Sequence, residues 1–409
     1  MTAGPARLET RWQRRLAGAG SCACLGVLAA VAGGQWPAFL SAAILGAGIA
    51  AASLLLAWGV DVALGDLSGR LVILAAAVVA TLPELTVEVH LAFTRQADLV
   101  SANLTGATRL DLAAAVAIPV IAAAVPQARG QPKPPSIPGP AARRQDLAVL
   151  AIAALGALAL AALAFAATGR LTLLEGLLLG ALYVAYVLGG WNAGDEEPAA
   201  LAGVAAEIAA LPRGSRRRFT GALFIGGAVS AFTIASAFPD DLTRAGLNAG
   251  IEPYLLIQTV VPLFTEAPEL VVAGTLTLHG RAAQGIALLV AASLIQSTVA
   301  LAAISTAYLA GGGGALLSLA GPERIELALT AAITLVTVAA LGARKPHRVD
   351  GWIVIGAFGV QAVFTGWPAR LVLTLALLIY ATDVLAPPLY AWMRRLRTAA
   401  RNADRDTPA

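Results

Sequence analysis

Cysteine is nearly absent from this chain of 409 residues: there are two, Cys22 and Cys24, close together in one apolar run. Helical geometry turns residues two apart away from each other, so neither a disulfide framework nor a Cys-based metal spacing follows. Charge is scarce too, at 13%, and there are three histidines. A soluble domain carries about a quarter charged residues, so composition alone excludes an ordinary soluble fold. No span holds a His/Glu zinc pattern or a Ser/His pair at catalytic spacing, which leaves an intramembrane enzyme without candidates. The alternating ten-residue segments of a β-barrel are also missing. A net charge of +4 is no nucleic-acid footprint, because the positive residues collect in short connectors.

What the chain has is apolar sequence: 58% of its residues are hydrophobic and mean hydropathy is +0.77. Apolar runs of about 18 to 25 residues, long enough to cross a bilayer, recur along its length. Twelve candidate spans fall at about 18–34, 38–60, 70–94, 101–125, 147–167, 172–193, 219–238, 250–278, 283–309, 325–342, 351–366 and 369–392. With the N-terminus taken as cytoplasmic, "RLETRWQRRL", "QARGQPKPPSIPGPAARRQD", "PRGSRRR", "ARKPHR" and "RRLRTAARNADRD" all fall on one side. That distribution satisfies the positive-inside rule and predicts an inner-membrane protein with both termini cytoplasmic. Residues 1–37 read as a basic N-terminus with a retained helix, or as a cleavable signal peptide ending near Ala30-Val31-Ala32.

Two stretches stand out: "ATLPELTVEV" from Ala80 and "TEAPELVVAG" from Thr265. A shift of 185 residues lays Pro83, Glu84 and Leu85 on Pro268, Glu269 and Leu270. Independently, "LLEGLLL" at Leu173–Leu179 matches "RVDGWIV" at Arg348–Val354. The first Pro-Glu span runs outward and the second inward, so the halves read as inverted repeats, an arrangement suited to alternating access. The segments are then 38–193 and 219–366 as the two repeats, 194–218 as a cytoplasmic loop, and 367–409 as an extra helix with a basic tail.

Proline within a helix removes a backbone donor and crowds the carbonyl four residues earlier, here those of Val79 and Phe264. An intramembrane acid costs about 2.5–3.5 kcal/mol, so two such corners make sense where they line a polar cavity. A freed carbonyl beside a carboxylate suits a hard cation, and two carboxylates neutralise one divalent ion. Thr81 and Thr265 add hydroxyls within about a turn.

This pattern resembles the alpha-repeats of the calcium/cation antiporter superfamily, the sodium/calcium exchanger-like membrane proteins. "VATLPE" and "FTEAPE" resemble the first element of their motif, and "ADLVSANLTGATRLDL" the second, keeping Asn103 and Gly106. The resemblance implies an all-α, polytopic membrane protein of about ten core transmembrane helices in two inverted repeats, with about one extra helix at each end. It implies Glu84 and Glu269 as the principal cation (metal) ligands and Thr81, Asn103 and Thr265 as auxiliary ones. The second repeat departs from the motif, offering Ser293, Gln296 and Ser297 in "GIALLVAASLIQST". The first adds Glu88 one turn after Glu84, sharing its face or pairing with a base such as Arg109, and His90 near the helix end. Glu266 stands in the place of a serine, and Asp111 aligns with Gln296. Fewer neutral oxygens and more acids tilt the coupling ion toward H⁺, because clustered carboxylates share protons.

The expectation is a secondary antiporter exchanging Ca²⁺ for Na⁺ or H⁺, with the bilayer and inorganic cations as partners and no cofactor or nucleic acid. A membrane protein that keeps the fold without transporting, and a cation channel, are the other readings. The paired Pro-Glu corners weigh against the first, and two inverted repeats with a mid-membrane site fit an alternating carrier better than an open pore.

Overall fold

The computed structural model describes residues 5–34, 36–64, 77–128, 147–190, 203–278, 282–342, 348–364 and 366–384. Prolines and glycines set where its helices begin. Pro83, Pro239, Pro253 and Pro268 each sit in a first helical turn, where the missing N–H leaves no hydrogen bond unmade. The helices are α1 (Pro5–Ala32), α2 (Ala38–Leu64), α3 (Leu82–Phe93), α4 (Ala97–Ala128), α5 (Leu147–Thr168), α6 (Leu173–Gly190), α7 (Gly203–Ala209) and α8 (Arg213–Ala235). They continue with α9 (Phe238–Asn248), α10 (Pro253–Thr265), α11 (Ala267–Leu278), α12 (Ala282–Ile295), α13 (Leu301–Ala310), α14 (Gly321–Gly342), α15 (Arg348–Val363) and α16 (Trp367–Val384).

Among the described residues, six helices are long and apolar enough to cross a membrane, and the bent pair α10–α11 makes a seventh. Shorter apolar helices at Leu158–Thr168, Leu173–Leu188 and Gly351–Val363 lie within three more of the expected spans. The outside of the bundle is greasy, with Leu28, Phe39, Leu160, Val229, Val372 and Ile379 exposed, as a lipid-facing surface requires. Polar side chains lie inside instead. α1 packs into the bundle through glycine: a Cβ on Gly26 would stand 2.9 Å from the Gly48 Cα of α2. Small residues let membrane helices approach closely in this way.

Two features depart from the all-helix, loop-and-span reading. Arg170–Thr172 (β1) pairs antiparallel with Leu316–Ser318 (β2), Leu171 opposite Leu317, joining two connectors that the topology puts on the same side. The stretch 194–218 is not all loop: α7 and the opening of α8 are helical. Val204, Ala205 and Ile208 of α7 are buried with Ala51, Ala52 and Leu223, so a short apolar face docks it onto α2 and α8. His279, His347, most of the Pro/Gly-rich connector at 127–140 and residues 385–409 lie outside the described residues.

The acid and glycine that open the span at Leu173 have plain structural work. The Thr172 amide and hydroxyl both donate to Glu175 Oε2 at 2.8 Å, and the Glu175 amide returns a bond of 3.2 Å to the Thr172 hydroxyl. This is a capping box for α6.

Candidate cation site

Each Pro-Glu pair opens a new helix after a break. Residues 77–80 are helical, the turn breaks at Thr81, and α3 follows. Likewise α10 breaks at Glu266 before α11, with a bend of 48°. Thr81 and Glu266 match under the 185-residue shift, and so do the bonds around them. The Thr81 amide donates to Ala77 O at 3.0 Å and the Glu266 amide to Pro262 O at 2.9 Å. The Leu85 amide donates to Thr81 O at 2.9 Å and the Leu270 amide to Glu266 O at 3.1 Å. Val79 and Phe264, whose carbonyls the prolines cannot serve, are half-buried just before the two breaks. Glu84 and Glu269 fall in the first turns of α3 and α11, where helix N-termini favour negative charge.

Glu84, 1% exposed, accepts hydrogen bonds from Asn103 of α4 and from the Thr265 hydroxyl of α10. Three helices therefore meet on one carboxylate. Glu266 accepts from Gln296 Nε2, and the Thr108 hydroxyl donates to Gln296 Oε1 at 3.0 Å. Gln296 begins a five-residue π-helical turn, Gln296–Ala300, between α12 and α13. Such bulges turn a side chain out of helical register and recur at functional sites.

Glu88, Asp111, Glu266 and Glu269 are as buried as Glu84, at 0–1% exposed. Glu88 feels the Glu84 charge; Asp111 feels Glu269 and Glu84; Glu266 feels Asp111, Glu84 and Glu88. The five acids thus form one cluster. Six acid oxygens in it, and Asn103 Oδ1 beside it, meet no N–H or hydroxyl donor: Glu88 Oε1, both of Asp111, Glu266 Oε2 and both of Glu269. An oxygen-only, donor-poor, acidic pocket is suited to a hard cation or to protons. The acids do not surround a single point: among the described residues no three Asp, Glu, His or Cys converge as a metal-holding group.

Two expected auxiliaries point elsewhere. The Thr81 hydroxyl donates to Ala77 O at 2.9 Å, and Ser293 donates to Leu289 O at 2.9 Å, both bonding back along their own helices. His90 lies 3.6 Å from Asp240 at the end of α3, away from the acids. Arg109 pairs with neither Glu88 nor Asp111; it meets Glu326 of α14 at 2.6 Å. Glu326, Gln258 and Arg370 belong to that buried group and carried no local sequence signal, because their partners are far apart in the chain.

A profile of the sodium/calcium exchanger protein family matches residues 36–191 and 219–367. A comparison with curated proteins returned no match. Among solved structures, the H⁺/Ca²⁺ exchanger CAX superposes with a TM-score of 0.81 at 23% identity, covering 97% of this chain and 100% of that one. YfkE gives 0.61 at 12% identity, over 84% of this chain and 97% of its own. The sodium–calcium exchanger NCX_Mj gives 0.54 at 16%, over 78% and 98%. At these identities the likeness is one of fold. The chain is a multi-pass membrane transporter, not an enzyme, and it belongs to the sodium/calcium exchanger protein family.

Proposed function

We propose that this protein exchanges Ca²⁺ for H⁺ across the cell membrane by alternating access, with both termini cytoplasmic. Glu84 and Glu269 are the principal cation ligands, and Asn103, Thr265, Glu266, Gln296, Asp111 and Glu88 complete the pocket. Thr81, Ser293 and the Val79 and Phe264 carbonyls are its outer members. The single observation behind the choice of counter-ion is the composition of the cluster: five buried acids, with both oxygens of Asp111 and of Glu269 unpartnered. Several buried carboxylates without compensation are prohibitively costly, so they hold protons or share a cation. Ca²⁺ binding then displaces protons, which is exchange by competition for the same oxygens.

Other observations support the reading. The matching breaks at Thr81 and Glu266 fit two inverted repeats around one site. The basic connectors support the topology. The fold is nearer to a neighbour that exchanges H⁺ for Ca²⁺ than to one that exchanges Na⁺.

The test is ⁴⁵Ca²⁺ uptake into proteoliposomes under a pH gradient, acid inside, and separately under an outward Na⁺ gradient. We expect uptake with the pH gradient alone. Protonated carboxyls bind no Ca²⁺, so its apparent affinity should rise with external pH, by about tenfold per unit for each proton displaced. Uptake that needs Na⁺ and ignores pH would overturn the choice of counter-ion. Folded protein that takes up no Ca²⁺ under either gradient would favour a member that keeps the fold without transporting it.

A further inference from the structure

A second buried group of charges lies beside the acid cluster and has no part in the site described so far. Arg109 Nη2 of α4 reaches Glu326 Oε2 and the Glu326 carbonyl, both at 2.6 Å, while its Nε donates to Thr330 at 2.8 Å and its Nη1 to Gln361 of α15. Gln258 of α10 donates to the same Glu326 Oε2 at 2.9 Å. Arg370, from α16, pairs with the other oxygen, Oε1, and donates to Gln258 Oε1 at 2.9 Å. Arg109 and Glu326 are 0% and 2% exposed. One carboxylate therefore holds two guanidiniums and an amide from three other helices, and all four side chains are buried.

The helices it holds are those that build the cation site. Asn103 of α4 and Thr265 of α10 are the two donors on Glu84. α4 and α10 also supply two of the donors on Glu326, through Arg109 and Gln258. The helices cross at Gly106, three residues from Asn103 on one side and from Arg109 on the other. A Cβ on Gly106 would stand 1.9 Å from Gln258 O. The crossing is thus clamped by Glu84 one turn before it on α4 and by Glu326 one turn after.

We propose that Glu326 is a positioning residue of the cation site: held between Arg109 and Gln258, it fixes the crossing that brings Asn103 and Thr265 together on Glu84. Arg370 adds a strut from α16, a helix that begins at the last residue of the family match. The inference rests on Glu84 being a cation ligand.

The test measures Ca²⁺ affinity in two ways: the KM of uptake, and the Ca²⁺-dependent rise in melting temperature of detergent-solubilised protein, which needs no gradient. Glu326→Gln alone strands two guanidiniums and risks misfolding. Arg109→Gln/Glu326→Gln removes one charge of each sign, keeps the group's net charge, and is the variant to read. We expect its affinity to fall by about tenfold with the maximal rate kept within about threefold, as for a group that acts on ligand placement. Combined with Asn103→Ala or with Thr265→Ala, it should cost no more than about twofold further, since residues acting as one unit are non-additive. Wild-type affinity in the double variant, or losses that multiply fully with both alanine variants, would overturn the proposal. A wild-type Ca²⁺ shift without proton-driven uptake would count against the exchange reading alone, and the coupling would still be read from the shift.

Discussion

Glu84 and Glu269 occupy matching places and have unlike surroundings, and the 185-residue shift explains why. Glu84 receives Asn103 and Thr265; the matching positions around Glu269 are Leu288 and Ala80, both without a donor. Both Glu269 oxygens are accordingly unpartnered. A buried acceptor left unsatisfied costs about 1–3 kcal/mol, more when charged. Glu269→Gln should therefore raise the melting temperature in cation-free detergent, by roughly 2 °C for a gain near 1 kcal/mol. Glu84→Gln should not raise it, because its new NH₂ meets at least one of the two donors aimed at that position. Both should lower exchange at least about 30-fold, since truncating one member of a buried charged contact costs about 2 kcal/mol or more. Equal melting temperatures, or exchange surviving in both variants, would contradict the site as drawn. The two acids proposed as principal ligands stand out in the sequence because a Pro-Glu pair in an apolar run is conspicuous, and Asn103 stands out through its motif. The Glu326 group does not: Arg109 and Glu326 are 217 residues apart, and a lone acid at the start of a span resembles any helix-opening residue.

At the scale of elements, the apolar runs announced helices and the prolines announced their starts, both local effects. The β1–β2 ribbon, the π-helical turn at Gln296 and the docking of α7 depend on partners distant in the chain, so no local pattern marked them. Gly106 is the element-scale residue with the sharpest consequence. Its missing side chain allows two main chains to meet, and because the obstructing atom is a backbone carbonyl, no rotamer change can relieve the clash. Gly106→Ala should part α4 from α10 at an overpacking cost of about 1–3 kcal/mol. The melting temperature should fall and the KM for Ca²⁺ should rise together. Gly274→Ala on α11 is the control: a Cβ there meets nothing within 4 Å, and alanine is the better helix former. If Gly106→Ala behaves like Gly274→Ala in melting and uptake, the close crossing is not what fixes the site.

For the whole molecule, the bilayer constrains how much charge the site can carry as it alternates. The described cluster holds five acids and no base, because Arg109 and Arg370 are engaged by Glu326. Whatever crosses with it must leave it equally charged in both directions, or the low-dielectric interior adds a barrier to one half of the cycle. Two protons for each Ca²⁺ meet that condition, and exchange is then electroneutral. One uncompensated charge moving through 100 mV is worth about 2.3 kcal/mol, which would change the equilibrium accumulation of Ca²⁺ by about 50-fold. Proteoliposomes with a fixed pH gradient and a potential of either sign, set by K⁺ and valinomycin, separate the cases. We expect Ca²⁺ accumulation to follow the square of the proton ratio and to change by less than about twofold when the potential is reversed. A large response to the potential would mean that net charge moves, and that the acid cluster does not return with the charge it carried out.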